Sequence, residues 1–333
     1  MKFQKYGFAV LFGLVLFAFT GYLLADTFLI RHVYAVVSTP AGTAAAAEPS
    51  AETEYVSAQT EESEPVTMTV EPTAEADMQA TEEPAAIEPV ADETTYADEN
   101  ISIALSTYRI EETTVYVADV VLASSEYLKT AFAESTYGRN ITETTSSIAS
   151  SVGAILAVNG DYYGAQRSGY VIRNGVLYRS QSGDGEDLVI YADGSFGIVD
   201  ENEVTAEELL NSGAWNVLSF GPALVQDGAI TVSENDEVGR AMASNPRTAI
   251  GVIDDLHYLF VVADGRTDAS DGLSLYELAA FMQSLGVQTA YNLDGGGSSS
   301  MVFMGTLINN PVSGGKRTKE RSVSDIVYIG YGV

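Results

Sequence analysis

The pattern of apolar and polar residues divides the chain into three segments. Residues 6–25 form an uncharged run dominated by Phe, Leu, Val, Ala and Gly, and Lys2 and Lys5 precede it. At about 1.5 Å per helical residue, this run matches the hydrocarbon core of a bilayer, so residues 1–32 are predicted to be a cytoplasmic tip and a single-pass transmembrane signal-anchor. A cleaved signal peptide is the alternative, and either form exports the rest of the chain.

The next segment, residues 33–99, is rich in Ala, Glu, Thr, Pro and Ser and contains few large apolar side chains. Such a segment cannot bury enough apolar surface to offset the entropy lost on ordering, so we predict a disordered acidic stalk. From residue 100 onward the content of Tyr, Ile, Val and Gly rises. We therefore expect residues 100–333 to form one globular, extracytoplasmic domain at the cell membrane.

Closely spaced turn sequences predict several β-hairpins in this domain. Asn174-Gly175 and Asp227-Gly228 stand between apolar runs, and both dipeptides tolerate the positive φ angles of tight type I′ turns. The predicted hairpin strands are residues 101–110 with 114–122, 169–172 with 176–179, 188–191 with 195–199, 223–225 with 229–231, and 248–253 with 257–263. Apolar runs at residues 154–158, 289–293 and 300–304 predict further strands.

Helical signals are fewer. Thr205 and Ser274 each stand three residues before a Glu, the capping-box pattern, and the second helix carries an apolar stripe that ends before Gly286. Two further short helices are predicted at residues 126–133 and 146–152. Hairpins combined with a strand-helix-strand unit indicate the α+β class, with a mixed but largely antiparallel sheet.

Charge and composition exclude several classes of function. The formal net charge is −30, and residues 48–99 supply 16 acidic residues without a Lys or Arg. Non-specific binding to nucleic acid needs Lys and Arg at the phosphates, so nucleic acid is excluded as a partner. Cysteine is absent and only two His are present, which argues against thiolate nucleophiles, His triads and two-His metal sites. Catalytic groups must then be carboxylates, hydroxyls or Tyr, with Arg as the anion ligand.

Four segments combine strand ends, glycines and polar side chains, the setting in which scaffolds commonly display a site. They are residues 159–163, 245–248, 264–272 and 293–300. Taken singly, the first is consistent with a turn and the second with a solvated Arg. The fourth is consistent with a flexible hairpin loop, or with a loop whose consecutive glycine N–H groups form an anion-binding nest.

The third segment has a weak likeness to a calcium loop, through Asp264, Asp268 and Asp271. However, Arg266 occupies a place where such a loop needs a ligand, and no Glu closes it. No other metal ion or cofactor is expected.

Together, these segments resemble the phosphodiester glycosidase family. The matching stretches, in order, are Ala157-Val-Asn-Gly-Asp-Tyr-Tyr, Ser219-Phe-Gly-Pro-Ala-Leu, Asn245-Pro-Arg-Thr-Ala-Ile-Gly, Val262-Ala-Asp-Gly-Arg, Ser270-Asp-Gly-Leu-Ser-Leu-Tyr-Glu-Leu-Ala, Asn292-Leu-Asp-Gly-Gly-Gly-Ser-Ser-Ser-Met and Glu320-Arg-Ser-Val-Ser. The resemblance runs from residue 154 to the C-terminus and fits residues 101–153 more loosely. The absence of cysteine fits a bacterial, membrane-anchored member and leaves the identity of the sugar open.

The resemblance implies hydrolysis of the C1–O bond between a sugar and a phosphate, in a cell-surface glycan or a related phosphodiester. This reaction needs a carboxylate at an oxocarbenium-like centre and a cation at the anionic leaving group. We expect Asp294 to be the nucleophile or base, with Asp264 as second choice and Asp161 as a partner. The expected substrate-binding residues are Asn159, Arg247, Arg266, Gly295, Gly296, Gly297, Ser298 and Arg321.

Two other functions remain open at this stage. The same residues could form a non-catalytic module that binds a cell-wall glycan or an exopolysaccharide. A serine hydrolase could use Ser298 as its nucleophile, although the shortage of His argues against it.

Overall fold

The computed structural model describes residues 7–34, 89–235, 244–313 and 318–332. Short strands dominate this described part of the chain. The helices are α1 (Gly7–Phe28), α2 (Thr145–Ser151), α3 (Ala206–Asn211) and α4 (Leu275–Ser284). The strands are β1 (His32–Val33), β2 (Val90–Ala91), β3 (Thr95–Ala97), β4 (Ile101–Ile110), β5 (Thr113–Leu122), β6 (Leu128–Phe132), β7 (Gly138–Arg139), β8 (Leu156–Asn159), β9 (Val171–Arg173), β10 (Val176–Arg179), β11 (Glu186–Tyr191), β12 (Phe196–Asp200), β13 (Ala214–Leu218), β14 (Ala223–Gln226), β15 (Ala229–Ile230), β16 (Arg247–Asp254), β17 (His257–Ala263), β18 (Thr289–Asn292), β19 (Met301–Phe303), β20 (Thr306–Leu307) and β21 (Asp325–Ile329).

Three sheets of five or more strands build the domain, and β1 pairs with β7 in a separate two-stranded sheet. The largest has nine strands in the order β15-β14-β18-β16-β17-β5-β4-β3-β2, and the two smaller sheets have the orders β10-β9-β13-β11-β12 and β20-β19-β8-β21-β6. The strand pairings recorded among the described residues are all antiparallel. Helix α4 connects β17 to β18, which flank β16. The predicted α+β class with a largely antiparallel sheet is confirmed.

Alternating side chains give the large sheet an apolar core on each face. Along β17, Tyr258 and Phe260 enter a cluster that includes residues of both smaller sheets, whereas Leu259 and Val261 pack with α4 on the opposite face. Helices α2 and α3 each pack on one of the smaller sheets. The result is a layered domain in which the ends of β8, β16, β17 and β18 carry the predicted polar segments.

Most of the local predictions are confirmed. All five hairpins form, both capping boxes are present, and the helix predicted at residues 146–152 is α2. The helix predicted at residues 126–133 is wrong, because residues 128–132 form β6 and pair with β21. Buried Leu128 and Thr130 alternate with the more exposed Lys129, so pairing with a distant strand outweighs the local helical pattern.

The N-terminal segments are only partly described. Over Val10–Thr27, with a mean hydropathy of 1.8, α1 is the one helix among the described residues that is long and apolar enough to cross a membrane. It is compatible with an anchor or with a signal sequence. Residues 35–88 of the predicted stalk lie outside the described residues. Residues 89–99, assigned to the stalk by their composition, instead carry β2 and β3 at the edge of the large sheet, since backbone pairing does not require large side chains.

Two acidic side chains meet inside the sheet that contains β11 and β12. Asp187 is fully buried, and neither of its oxygens accepts a hydrogen bond of normal geometry from the described residues. Glu201 accepts from the backbone N–H of Tyr170 at 2.7 Å. Burial, and then the negative charge of Glu201, raises the pKa of Asp187 to about 9, and the nearby Ser219 hydroxyl opposes this only in part. A protonated Asp187 can donate its O–H to Glu201, whereas an ionised one faces a like charge.

We expect Asp187→Asn to flatten the loss of stability that accompanies a rise in pH from about 5 to about 8. The pKa of Asp187 is raised on folding from 3.8 to about 9, so the folded state binds the extra proton and the wild-type protein loses stability as pH rises through that window. From about pH 5 to about pH 8, the free energy of unfolding should decrease in the wild-type protein and decrease less in the variant. The two decreases should differ by at least about 1.4 kcal/mol, which corresponds to one pKa unit. Urea denaturation followed by the fluorescence of Trp215 measures this. An identical pH slope in both proteins would contradict it, and the exposed Asp227→Asn is the control.

Candidate active site

Three of the predicted polar segments meet where the large sheet joins the sheet that contains β8. Asp294, two residues beyond β18, donates its backbone N–H to the Gly160 carbonyl at 3.2 Å. Asn159, the last residue of β8, is completely buried and donates Nδ2 to the Asp294 carbonyl at 2.6 Å. Its Oδ1 accepts from the Thr248 hydroxyl at 2.8 Å. The amide of Asn159 therefore joins the two sheets beneath the glycine-rich loop.

The side chain of Asp294 forms a tight cluster with two predicted binding residues. Its Oδ2 accepts from the Ser298 hydroxyl at 2.6 Å and from Arg321 Nη2 at 2.5 Å. Arg321 Nε donates to Ser298 Oγ at 2.7 Å, which closes the cluster. Within the described ranges, the recorded hydrogen bonds to this carboxylate all use Oδ2. Oδ1 makes no hydrogen bond within this cluster and can contact another partner. The Asp294 side chain is 12% exposed.

Opposing effects act on the charge of Asp294. Burial is the largest and raises the pKa of its carboxyl group, and the negative charge of Asp161 acts in the same direction. The positive charge of Arg321 and the hydrogen bonds from Ser298 and Arg321 lower it, but the net shift is upward. Arg321 is therefore the group that most favours the ionised form of a carboxylate in a desolvated position.

Arg321 lies at the surface of the cluster, with 40% of its side chain exposed. Its guanidinium carbon is 6.0 Å from the centre of the Tyr162 ring, a cation–π distance. Tyr162 is itself exposed and adopts a left-handed backbone conformation with φ 71°. Tyr162 is not among the predicted site residues, although an aromatic residue in a turn after a buried strand is a usable signal.

The glycine loop lets a second guanidinium approach. Gly296 has a φ of +63°, and a Cβ there would come within 3.0 Å of Arg266 Nη2. Arg266 Nη2 also donates to Asn245 Oδ1 at 2.8 Å. Two predicted binding residues, Gly296 and Arg266, thus lie against each other.

Three N–H groups of the glycine loop are engaged within the protein. Gly296 N–H donates to the Pro246 carbonyl at 2.8 Å, and the N–H groups of Ser298 and Ser299 donate to carbonyls of the loop itself at 3.3 Å. These three donors are already used within the protein, because the loop turns into a short 3₁₀ helix at Gly296–Ser298. A Cβ at Gly295 would lie 2.9 Å from the Pro246 carbonyl oxygen, so the backbone of Pro246 leaves no room for a side chain at position 295.

Arg247 and Asp264 lie at the ends of the adjacent strands β16 and β17. Arg247 is buried rather than solvated, and its Nε donates to the Leu273 carbonyl at 2.8 Å. Asp264 Oδ1 accepts from Asn309 Nδ2 at 3.1 Å and from the Asn310 backbone N–H at 2.9 Å. Its Oδ2 accepts from Asn310 Nδ2 at 3.2 Å and from the Tyr116 hydroxyl at 3.3 Å. Both oxygens of Asp264 therefore hold the segment around residue 310 against the sheet.

Asp161 belongs to a buried ion cluster that the sequence analysis missed. Arg173 Nη2 donates at 2.8 Å to Asp161 Oδ2 and at 2.8 Å to Asp325 Oδ2. Asp161 also accepts from the backbone N–H groups of Ser219 at 2.8 Å and Tyr163 at 3.0 Å. The available signals were weak: Arg173 is a charge at the end of an apolar strand, and Asp325 begins one.

This ion cluster supports the backbone beneath Asp294. Gly160 donates its N–H to the Asp325 carbonyl at 2.9 Å, and a Cβ at Gly160 would lie 2.1 Å from Asp325 Oδ1. Gly160 is the residue whose carbonyl accepts the N–H of Asp294. The negative charge of Asp161 also contributes to the raised pKa of Asp294.

The acidic residues of the segment 264–272 do not gather around a common point. Within the ranges that the structure describes, no group of three or more His, Asp or Glu side chains is arranged to hold a metal ion. The calcium alternative therefore gains no support from the arrangement of Asp264, Asp268 and Asp271.

Proteins of known sequence resemble this chain. An uncharacterized SPbeta prophage-derived protein of Bacillus subtilis is 32% identical over 59% of this chain and 31% of its own length. The N-acetylglucosamine-1-phosphodiester alpha-N-acetylglucosaminidase of Mus musculus is 30% identical over 48% of this chain and 34% of its own length. The chain thus spans about a third of the length of these curated relatives.

Solved structures share the fold. The zebrafish catalytic domain of N-acetylglucosamine-1-phosphodiester alpha-N-acetylglucosaminidase, auto-inhibited by its pro-peptide, matches with a TM-score of 0.55 at 22% identity, over 69% of this chain and 83% of that one. A hypothetical protein from Synechocystis matches with a TM-score of 0.53 at 16% identity, over 70% and 62%. The domain therefore has the fold of a glycosidase catalytic domain.

The family follows from the sequence match. The family model for phosphodiester glycosidases matches residues 152–330, which is more than half of the chain. The chain belongs to the phosphodiester glycosidase family, and the resemblance drawn from its motifs is confirmed.

Proposed function

We propose that the protein hydrolyses the C1–O bond of a sugar-1-phosphodiester in a cell-surface glycan, outside the membrane. In this proposal α1 is the anchor, residues 35–88 are the stalk, and the domain after them carries the active site. The Asp294 cluster is the observation that carries the proposal, since a buried carboxylate with one oxygen held by Arg321 lies where the family's motifs meet.

Asp294 is the proposed nucleophile or base. Ser298 and Arg321 hold Oδ2, so the carboxylate is oriented with Oδ1 toward the sugar C1 before substrate binds. An oriented, partly desolvated carboxylate stabilises an oxocarbenium-like centre more strongly than a solvated one. Asp264 and Asp161 have their oxygens engaged by protein donors, and we assign them to positioning the loops and strand ends around Asp294.

The leaving group is a phosphate ester, which is already anionic and departs without strong acid catalysis. It needs a cation at its phosphate oxygens. Arg266 packs over Gly296 and is the proposed clamp for the phosphate, with Arg247 behind it at the start of β16. The exposed ring of Tyr162, whose centre lies 6.0 Å from the guanidinium carbon of Arg321, is the proposed surface on which the sugar packs.

The full chain, incubated in detergent with a panel of sugar-1-phosphodiesters, tests this function. Proton NMR follows the release of free sugar and identifies the anomer that forms first. Release from at least one member of the panel supports the hydrolase. Saturable binding of a member without any release would instead support the non-catalytic glycan-binding module.

The pH dependence of hydrolysis gives a prediction about Arg321. Its charge lowers the pKa of Asp294, so Arg321→Gln should raise that pKa further. If Asp294 must be ionised to react, the acidic limb of kcat/KM moves to higher pH in the variant, and activity falls more at acidic than at alkaline pH. Arg31→Gln, with the same change in charge outside the cluster, should leave the limb in place. An acidic limb that stays fixed or moves to lower pH in Arg321→Gln contradicts the assignment.

A further inference from the structure

A cavity of about 450 Å³ lies between the residues that follow α1 and the body of the domain. Its lining includes three guanidinium groups, those of Arg139, Arg167 and Arg179, together with His32. Asp26 is the single carboxylate in this lining. We call this cavity the juxtamembrane cavity, because Asp26 lies in the last turn of α1 and His32 lies four residues beyond the end of α1.

Specific contacts hold the two walls of the juxtamembrane cavity together. His32 and Val33 pair with Arg139 and Gly138 to form a two-stranded sheet, β1 with β7. A Cβ at Gly138 would meet the His32 carbonyl at 2.1 Å, so the close pairing requires glycine there. Arg139 Nη2 also donates to Asp26 Oδ2 at 3.0 Å. The chain after α1 is therefore docked on the domain by backbone and side-chain contacts.

Two of the guanidinium groups have buried donors that remain unused. Arg179 donates to the carbonyls of Tyr163 at 3.1 Å, Gln166 at 3.0 Å and Gly169 at 2.5 Å, but its Nη2 has no acceptor among the described residues. Arg139 Nε is likewise buried without one. Burial is the largest effect on the pKa of Arg179 and lowers it, which marks a cation that its surroundings do not neutralise. A buried charge with unused donors favours an anionic ligand.

The position of the juxtamembrane cavity suggests where the anion comes from. The apolar stretch of α1 ends at Thr27, so a helix that crosses the bilayer would place Asp26 and His32 at the level of the lipid headgroups. Tyr34, Tyr137 and Tyr178 also line the cavity, and Tyr is enriched at membrane–water interfaces. Clustered Arg beside a membrane span is typical of sites for anionic lipid headgroups.

We propose that the juxtamembrane cavity binds the phosphate of an anionic glycerophospholipid from the leaflet that the domain faces. The guanidinium groups of Arg139, Arg167 and Arg179 are the phosphate ligands, and the Tyr hydroxyls can donate to the headgroup. Binding would fix the orientation of the domain relative to the membrane. The proposal depends on α1 spanning the membrane and is independent of the proposed hydrolysis.

The test uses the full chain in nanodiscs made of equal parts phosphatidylglycerol and phosphatidylcholine. Native mass spectrometry counts the lipids that stay bound when the disc is stripped away. We expect retention of phosphatidylglycerol in preference to phosphatidylcholine, and an about fivefold loss of that preference in Arg167→Gln. Because 70% of the Arg167 side chain is exposed, this substitution should leave the fold intact, and an unchanged thermal transition checks it.

Arg31→Gln is the matched control. Arg31 is also close to the end of α1, but its guanidinium pairs with Glu134 at 2.5 Å and it is not part of the cavity lining. Its substitution should leave the lipid preference unchanged. Equal losses in both variants would reduce the effect to general attraction by charge and overturn the proposal, as would a wild-type protein without preference. Full displacement of phosphatidylglycerol by millimolar inorganic phosphate would also overturn it, in favour of a soluble anion.

Discussion

Asp294→Asn is expected to lower turnover by at least about 10³, equivalent to about 4 kcal/mol of transition-state stabilisation. Asn is close to Asp in shape and can still accept from Ser298 and Arg321, so the loop should keep its conformation. It cannot act as nucleophile or base, and it cannot balance a positive charge at C1. We therefore expect ligand binding to remain largely intact and the thermal transition to stay within a few degrees. Single-turnover sugar release and a thermal melt measure the two effects.

The outcome of this substitution separates three roles for the carboxylate. A large loss of stability would identify Asp294 as a structural partner of Arg321 rather than a reacting group. Full activity in a well-folded variant would move the catalytic role to another carboxylate. The matched control is Asp227→Asn, which makes the same chemical change in the exposed turn between β14 and β15 and should leave turnover unaltered.

Arg173→Met should destabilise the domain by about 3–5 kcal/mol, the range typical of removing one partner from a buried ion pair. The substitution leaves Asp161 and Asp325 buried side by side without their shared cation. Burial and the negative charge of Asp161 already raise the pKa of Asp325 in the native protein. Without Arg173 the carboxyl group of Asp325 should bind a proton more readily, so the loss of stability should be smaller at about pH 5 than at about pH 8.

Urea denaturation at the two pH values, followed by the fluorescence of Trp215, measures the effect of Arg173→Met. Adding Asp161→Asn and Asp325→Asn should recover much of the stability, because the uncompensated charges are then removed. Arg109→Met replaces a half-exposed Arg and should change stability by less than about 0.5 kcal/mol. A loss in Arg173→Met as small as that of Arg109→Met would show that the ion cluster contributes little to the fold.

The sequence alone determined the features that depend on neighbouring residues. Asn174-Gly175 and Asp227-Gly228 form the predicted turns, and the capping boxes at Thr205 and Ser274 begin α3 and α4. Each feature rests on φ preferences or hydrogen bonds within four residues, which composition and spacing reveal directly. The family motifs likewise identified strand ends that the fold brings together, including Asp294 with Ser298 and Arg321.

Only the tertiary structure decided the features that depend on distant partners. Residues 128–132 form a strand because β21 is available to pair with them, and residues 95–97 join the sheet because β4 offers an open edge. Asp264 and Asp161 are also catalytic candidates in the sequence, ranked after Asp294, yet Asn309, Asn310 and Arg173 occupy their oxygens. Burial and the identity of the donor that reaches each carboxylate are set by chain segments far apart in sequence, and no local pattern encodes them.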